Sequence, residues 1–189
     1  MNELLPDGGI IRKLWTGETD AYRDHLLRLD FESRNRRFSG AVADEAIVRH
    51  AASAGGPNVV IHGFFVDGTL RGAAELRRTA SVFSHQGEAA LSIERAWQSH
   101  GVGTELLERT LLSARNRGIT SLHMHCQQSP HAAIGPQVRG GLSFDFGSVV
   151  GEVDPPRSTA LSLMREAMAD SHGVAATIYE AQSRLFKAA

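Results

Sequence analysis

Cysteine appears once, as Cys126, so no disulfide can close within the chain. That usage suits a reducing compartment, and a cytoplasmic location is the expectation. No apolar run approaches the about 20 residues that a membrane-crossing helix needs. The opening residues, Met1-Asn2-Glu3-Leu4-Leu5-Pro6-Asp7, carry no basic region ahead of an apolar one, so neither export nor membrane insertion is expected. An excess of charge is also missing. The formal net charge of −1 gives no broad electrostatic pull toward nucleic acid or an anionic membrane. Tyrosine is scarce, with Tyr22 and Tyr179 the only two. No internal repeat or low-complexity stretch interrupts the chain. What remains is a 189-residue sequence of ordinary apolar and charged content, long enough for one domain with a substantial core.

The most informative stretch runs from Glu88 to Cys126. It opens with a strand, Glu88 to Glu94, in which Leu91 and Ile93 fall on one side and Ser92 and Glu94 on the other. A glycine-bearing loop, Arg95 to Thr104, follows. A helical run then extends from Glu105 to Arg117, and Gly118 stops it by taking the left-handed cap. A second strand, Ile119 to Cys126, completes a strand, loop, helix, strand unit of the parallel-crossover kind. The start of a helix carries unpartnered N–H groups and partial positive charge, which stabilise an anion placed there. Gly101 and Gly103 would let the backbone approach it closely, so a phosphate-bearing ligand is the natural inference. Thr104 and Glu105 stand where a nucleotide-hydrolase loop has Lys and Ser/Thr. Leu106 stands where a dinucleotide fingerprint has its third glycine.

Gln98-Ser99-His100-Gly101-Val102-Gly103 resembles the Gln/Arg-x-x-Gly-x-Gly/Ala signature of the GNAT superfamily of acyl-CoA-dependent N-acyltransferases. The likeness extends to the apolar strand before it, to Trp97, and to Leu106, Leu107, Leu111 and Ala114 at helical spacing after it. The resemblance implies an α/β fold of mixed α+β character. Its central sheet would be mostly antiparallel and flanked by helices, with the parallel strand, loop, helix, strand core binding the cofactor. It implies acetyl-CoA as cosubstrate and an amine-bearing small molecule or peptide as acceptor. Backbone N–H groups from Gln98 to Thr104 would then hold the pyrophosphate, with the side chains of Ser99, His100 and Thr104 as helpers and Val102 within the same turn. Leu91 and Ile93 would line the pantetheine arm through their main chain.

The flanking sequence agrees with that order of elements. Ile10 to Trp15 reads as a first strand, and Asp20 can cap a helix whose Tyr22, Leu26, Leu27 and Phe31 share a face. Arg34-Asn35-Arg36-Arg37 reads as part of the loop to a second helix, which begins near Asp44 with Ile47, Val48 and Ala51 inward. That loop is either a solvated basic connection or, as the resemblance implies, a lip that meets an acidic group on the acceptor. Val59 to Val66 and Leu70 to Leu76, joined by Asp67-Gly68, form a hairpin whose outgoing strand is apolar at both parities and therefore central. Leu142 to Phe146 and Ser148 to Val153 read as a closing pair of strands, stopped by Pro155-Pro156. From Ser158 the pattern is helical, with Leu161, Met164 and Met168 as one stripe and Ile178, Ala181 and Leu185 as another after Gly173. The expected organisation is a tail over 1–9, a GNAT domain over 10–156 and a helical extension over 157–189. That extension either covers the core or pairs two subunits as a homodimer.

Acyl transfer to an amine requires an anchored thioester, a deprotonated amine and a stabilised leaving thiolate. Glu88 is the first candidate for general base, close to where the resembled family keeps a glutamate, and an exposed strand-end carboxylate is the plain alternative. Glu94 is the second candidate, or simply faces solvent. His125 is the candidate proton carrier, near the end of its strand where the family's acyl site opens. His123 and His125 share a face, but no acidic or cysteine set accompanies them at metal-ligand spacing, so no metal is expected. The family's tyrosine beside the departing sulfur has no counterpart, since its register falls on Gln137 and Pro136 would disrupt the helix that carries it. Ser129 and His131 are fallback donors. That departure leaves a second reading open, an acyl-CoA-binding sensor or regulatory module without turnover.

Overall fold

A computed structural model describes residues 5–79, 84–126, 142–145, 148–153, 155 and 157–187. The segment Gln127 to Gly141, with Ser129, His131 and Gln137, lies outside the described residues.

The hairpin that the sequence marks most clearly forms the middle of the molecule. β2 (Val59–Val66) turns through Asp67 and Gly68, both at positive φ (48° and 67°), into β3 (Thr69–Arg78). Two left-handed central residues are what a type I′ turn requires, and its twist matches that of the strands. β1 (Ile10–Lys13) pairs antiparallel with β2, and β4 (Gln86–Ile93) pairs antiparallel with β3. The chain then crosses over through α4 (Val102–Asn116) to β5 (Ser121–Cys126), which lies parallel to β4. β6 (Leu142–Asp145) and β7 (Ser148–Val153) complete a seven-stranded mixed sheet of order β1-β2-β3-β4-β5-β7-β6. From Ile61 to Val66, β2 is buried at every residue, as a central strand covered on both faces must be.

One face of the sheet carries α1 (Thr19–Arg28), α2 (Phe31–Phe38) and α3 (Asp44–Ala52), with Tyr22, Leu26 and Ile47 packed on Ile61, Phe65 and Leu70. The other carries α4, whose Val102 and Leu106 pack on Ile11 and Phe64, and whose Leu107 and Ala114 pack on Leu76 and Leu122. The α4 C-terminus is closed by paired bonds, from Gly118 N–H to the Arg115 carbonyl and from Ile119 N–H to the Ala114 carbonyl. Gly118 sits at φ 70° to make them, which is the Schellman arrangement.

Several sequence expectations are corrected here. The residue before α1 is Glu18 rather than Asp20, because Glu18 accepts the Trp15 N–H and pairs with Arg12. Phe31 leaves the first helix's face and stands exposed, because Asp30 accepts the Ser33 N–H and starts a new helix. Arg34, Arg36 and Arg37 therefore lie on α2 and not on a loop. Val48 is exposed, whereas Ile47 and Ala51 are buried. The helical extension forms as expected, with α5 (Ala160–Lys187) as one continuous helix through Gly173.

α5 docks through polar groups. Glu166 accepts from Lys13, Ser113, Asn116 and Arg117, at 2.5 to 2.8 Å. Behind it, fully buried Ser113 lies 2.9 Å from His62 Nε2, and His62 Nδ1 has no partner among the described residues. Ser113 donates to Glu166, so Nε2 carries the proton and donates to Ser113, leaving a neutral imidazole. Burial, helped by the positive charges of Lys13 and Arg109, lowers the His62 pKa to about 3. The unfolded chain accepts a proton near pH 6.5 that the native state refuses until about 3. This contribution is complete above 6.5 and is lost as pH falls toward 3. Urea unfolding at pH 5 should therefore show about 2 kcal/mol less stability than at pH 7.5 from this group. His62→Gln should flatten that slope, and an unchanged slope would show that the imidazole does not carry it. Glu166 adds an acid limb below it. Burial alone would raise its pKa, but bonds from Lys13, Arg117, Asn116 and Ser113 hold it at about 2, so its contribution is lost between about 4.5 and 2.

Candidate active site

The crossover β4, α4, β5 contains an opening in the backbone pairing of the described strands. The β4–β5 ladder runs from Gln86↔Ser121 to Ala89↔Met124 and stops, although β4 continues to Ile93 and β5 to Cys126. Glu94 N–H donates to the Arg71 carbonyl on β3. By strand alternation, Leu91 and Ile93 then direct their main-chain groups away from β3, into the space where β5 has departed. The Ile93 carbonyl accepts from Gln98 Nε2 at 2.9 Å, which agrees with that direction. β4 thus presents main-chain groups without a strand partner among the described residues.

The loop at the head of this opening is built from residues that tolerate unusual backbone. Ser99 and Gly101 stand at φ 64° and 77°, and α4 begins directly after Gly101. The helix starts at Val102, three residues before the sequence-based boundary, so Gly103 and Thr104 lie in its first turn and present the N–H groups that a helix start leaves unpaired. Val102 is buried and pins the turn to the core, whereas Ser99, His100, Gly101 and Thr104 are exposed. Gly103 fits tightly: a Cβ there would lie 3.2 Å from Ile93 Cδ1. Gln98 ties the start of this loop to its surroundings. Its N–H is engaged by the Arg95 carbonyl, and its side chain joins Ile93 of β4 to Ser33 of α2.

No bulge breaks the β3–β4 register between Gly87 and Ile93, so Glu88 and Ser92 share the face that bears α1 to α3. Glu88 is exposed and stands opposite Arg77 on β3 and beside His123 on β5. It borders a small open pocket with Arg37, His50, Glu75, Arg77 and Ala90. Glu94 does not face solvent. It accepts from Arg28 and Arg71 at 3.0 Å each and lies 3.3 Å from His25 Nδ1, while His25 Nε2 lies 3.0 Å from Ser92 Oγ. Burial alone would raise the Glu94 pKa, but hydrogen bonds from His25 and Arg71 and the charge of Arg28 lower it. Burial likewise lowers the His25 pKa, against the pull of Glu94. His125 occupies β5 opposite Val150, one residue beyond the last β4–β5 pair.

Sequence reading missed the cluster beneath Glu88. Glu75 on β3 is 3% exposed and accepts from Tyr22 Oη and His50 Nε2, each at 2.7 Å, and from Arg37 and Arg77. Burial would raise its pKa, but the His50 hydrogen bond and the Arg37 charge pull it down to about 2. Burial also pushes the Tyr22 hydroxyl well above its ordinary range. The available signal was a lone carboxylate inside the apolar run Ala73-Ala74-Glu75-Leu76, because a charge in a covered strand must be paired.

Comparison with known proteins agrees with this geometry. No curated protein sequence matches the chain. Among solved structures, the GNAT domain of PAT from S. lividans superposes with a TM-score of 0.63 at 21% identity, covering 80% of this chain and 94% of that one. The PaiA N-acetyltransferase from Thermoplasma acidophilum, in complex with coenzyme A, gives 0.52 at 18% identity, covering 77% and 98%. The ribosomal-protein-S18-alanine N-acetyltransferase from Escherichia coli gives 0.57 at 14% identity, covering 80% and 97%. At such identities these establish the shared fold. The acetyltransferase (GNAT) family model matches residues 9–135, well over half of the chain. The seven-stranded sheet, the parting of β4 from β5 and that match together place the chain in the GNAT acetyltransferase family.

Proposed function

We propose that the chain transfers the acetyl group of acetyl-CoA to a primary amine of a small molecule or peptide by direct attack within a ternary complex. The observation that carries this reading is the end of the β4–β5 ladder at Ala89, while β4 runs on to Ile93 against the first turn of α4. An extended, amide-bearing arm with an anionic head fits that arrangement. The main-chain groups of Leu91 and Ile93 would pair with the amides of the arm. The first-turn N–H groups of α4, with Ser99, His100 and Gly101 around them, would take the diphosphate. Acetyl-CoA supplies an activated thioester carbonyl; the protein supplies position and proton traffic. The acceptor nitrogen attacks the carbonyl carbon, the carbon–sulfur bond breaks, and the nitrogen's proton passes to Glu88, directly or through water. The coenzyme leaves as thiolate, with His125 our candidate to supply its proton. Glu94, bound to two arginines, would fix the end of β4.

The test is release of free thiol from acetyl-CoA over a panel of polyamines, amino acids, aminoglycosides and peptide amines. Thiol release matched by acetylated product on at least one amine is expected. Saturable CoA binding with no release on any amine would favour the sensor reading. That reading draws support from Tyr22, which is committed to Glu75, and from Tyr179, which lies on α5. Neither binding nor release would overturn both. Gly103→Val should weaken CoA binding by about tenfold or more, the cost of about one charge-assisted hydrogen bond to the phosphates. Calorimetric titration reads this, and unchanged affinity would remove the α4 turn from the binding site.

A further inference from the structure

α5 is inverted relative to an ordinary surface helix. The side turned to the protein carries Ser162, Glu166, Asp170 and Gly173, while Leu161, Met164, Met168, Val174, Ile178 and Tyr179 stand 39 to 75% exposed. Leu161, Met164, Met168, Ser171, Ala175, Ile178 and Gln182 follow one another at alternating steps of three and four, which is the seam that one helix presents to another. Gly173 fixes this orientation, because a Cβ there would lie 2.7 Å from Arg12 Cβ on β1.

We propose that this seam pairs with the α5 of a second copy of the chain, antiparallel about a two-fold axis near Ser171 and His172. The seam and the positions beside it (Arg165, Ala167, His172, Val174, Tyr179 and Ala181) include no carboxylate, and Arg165 is their one permanent charge. An axis at that point sets the larger Met168 against the small Ala175 of the other copy and Met164 against Ile178. It also brings Arg165 beside the ring of Tyr179, a cation–π pair made twice. Small residues at the axis let the helices approach closely. With the apolar side chains of this face 39 to 75% exposed, the apolar surface amounts to roughly several hundred Å² per copy, at the upper end of what an isolated monomer shows. Doubled across the axis, it reaches the range of about 1,200 Å² where stable interfaces begin. A membrane surface is a poorer fit, since an interfacial helix carries several flanking lysines and arginines where this face has Arg165 alone. This pairing stands apart from the acetyl-transfer chemistry.

Sedimentation equilibrium and light scattering of the full chain at micromolar concentration should give twice the monomer mass. Met168→Glu should give the monomer mass, with an unchanged far-ultraviolet circular dichroism spectrum. A short bis-maleimide should cross-link Ser171→Cys, which meets its own copy near the axis, and leave Leu161→Cys un-cross-linked, with the parent chain as control for Cys126. Monomer mass for the parent, dimer mass persisting in Met168→Glu, or equal cross-linking at both positions would each overturn the proposal.

Discussion

Glu88→Gln is expected to lower turnover at neutral pH by about a hundredfold or more, within the range that a positioned general base supplies. The amide keeps the side chain's size, so the affinity for coenzyme A should not change. A primary amine is almost fully protonated at pH 7, given an ordinary pKa near 10.4 for a lysine-like group. Removing its proton is then the step that a nearby carboxylate assists. The deficit should therefore be largest at low pH and shrink as the amine deprotonates in bulk solution. Initial rates across pH with a saturating acceptor measure this. Wild-type turnover at every pH would take Glu88 out of the chemistry. A deficit independent of pH would give it a positioning role through Arg77, its neighbour across β3 and β4.

Glu75→Gln should be strongly destabilising. It removes the charge that neutralises Arg37, whose side chain is 7% exposed, and weakens its bonds to His50 and Arg77. Breaking a buried ion pair from one side costs about 3–5 kcal/mol, because the remaining charge stays desolvated. For a domain of this length that corresponds to a fall of roughly 10 °C in Tm. Adding Arg37→Met should recover much of the loss, since the unpaired charge goes with it. A single-variant loss below about 1 kcal/mol would mean that Tyr22, His50 and water re-satisfy Arg37. The same carboxylate gives a pH signature. Its folded pKa of about 2 lies below the ordinary 4.5, so its stabilisation is present above 4.5 and is lost as pH falls from there toward 2. The variant should lose this share of the acid limb and keep the share that Glu166 carries.

Local signals made much of this architecture legible. The Asp67-Gly68 turn, the stop at Gly118, the apolar run of β2 and the glycine loop each act within a few residues, and each falls where its chemistry places it. Properties that depend on a partner far along the chain were not legible. Glu94 reads as a strand-end carboxylate until Arg28, from α1, and Arg71, from β3, close around it. Arg37 reads as one of four residues in a basic loop until Asp30 starts a helix that delivers it to Glu75. The stripe of Leu161, Met164 and Met168 shows helical spacing but not which way the helix turns. Glu166 and its partners decide that, and they lie in three different parts of the chain: Glu166 on α5, Lys13 on β1, and Ser113, Asn116 and Arg117 at the end of α4.

The meeting of Gly173 with Arg12 keys the tail to the body like a tooth in a slot. Arg12 cannot retreat, since Glu18 holds its guanidinium and the rings of Trp15 and Phe65 lie 4.8 and 3.9 Å from it. Any residue larger than glycine would have to lift the helix away from β1. Lengthening or shortening the chain between Ala160 and Gly173 would rotate Glu166 off its partners by about 100° per residue, the turn of one helical step. A change of length in this tail should therefore be tolerated only before Ala160 or beyond the docked turns.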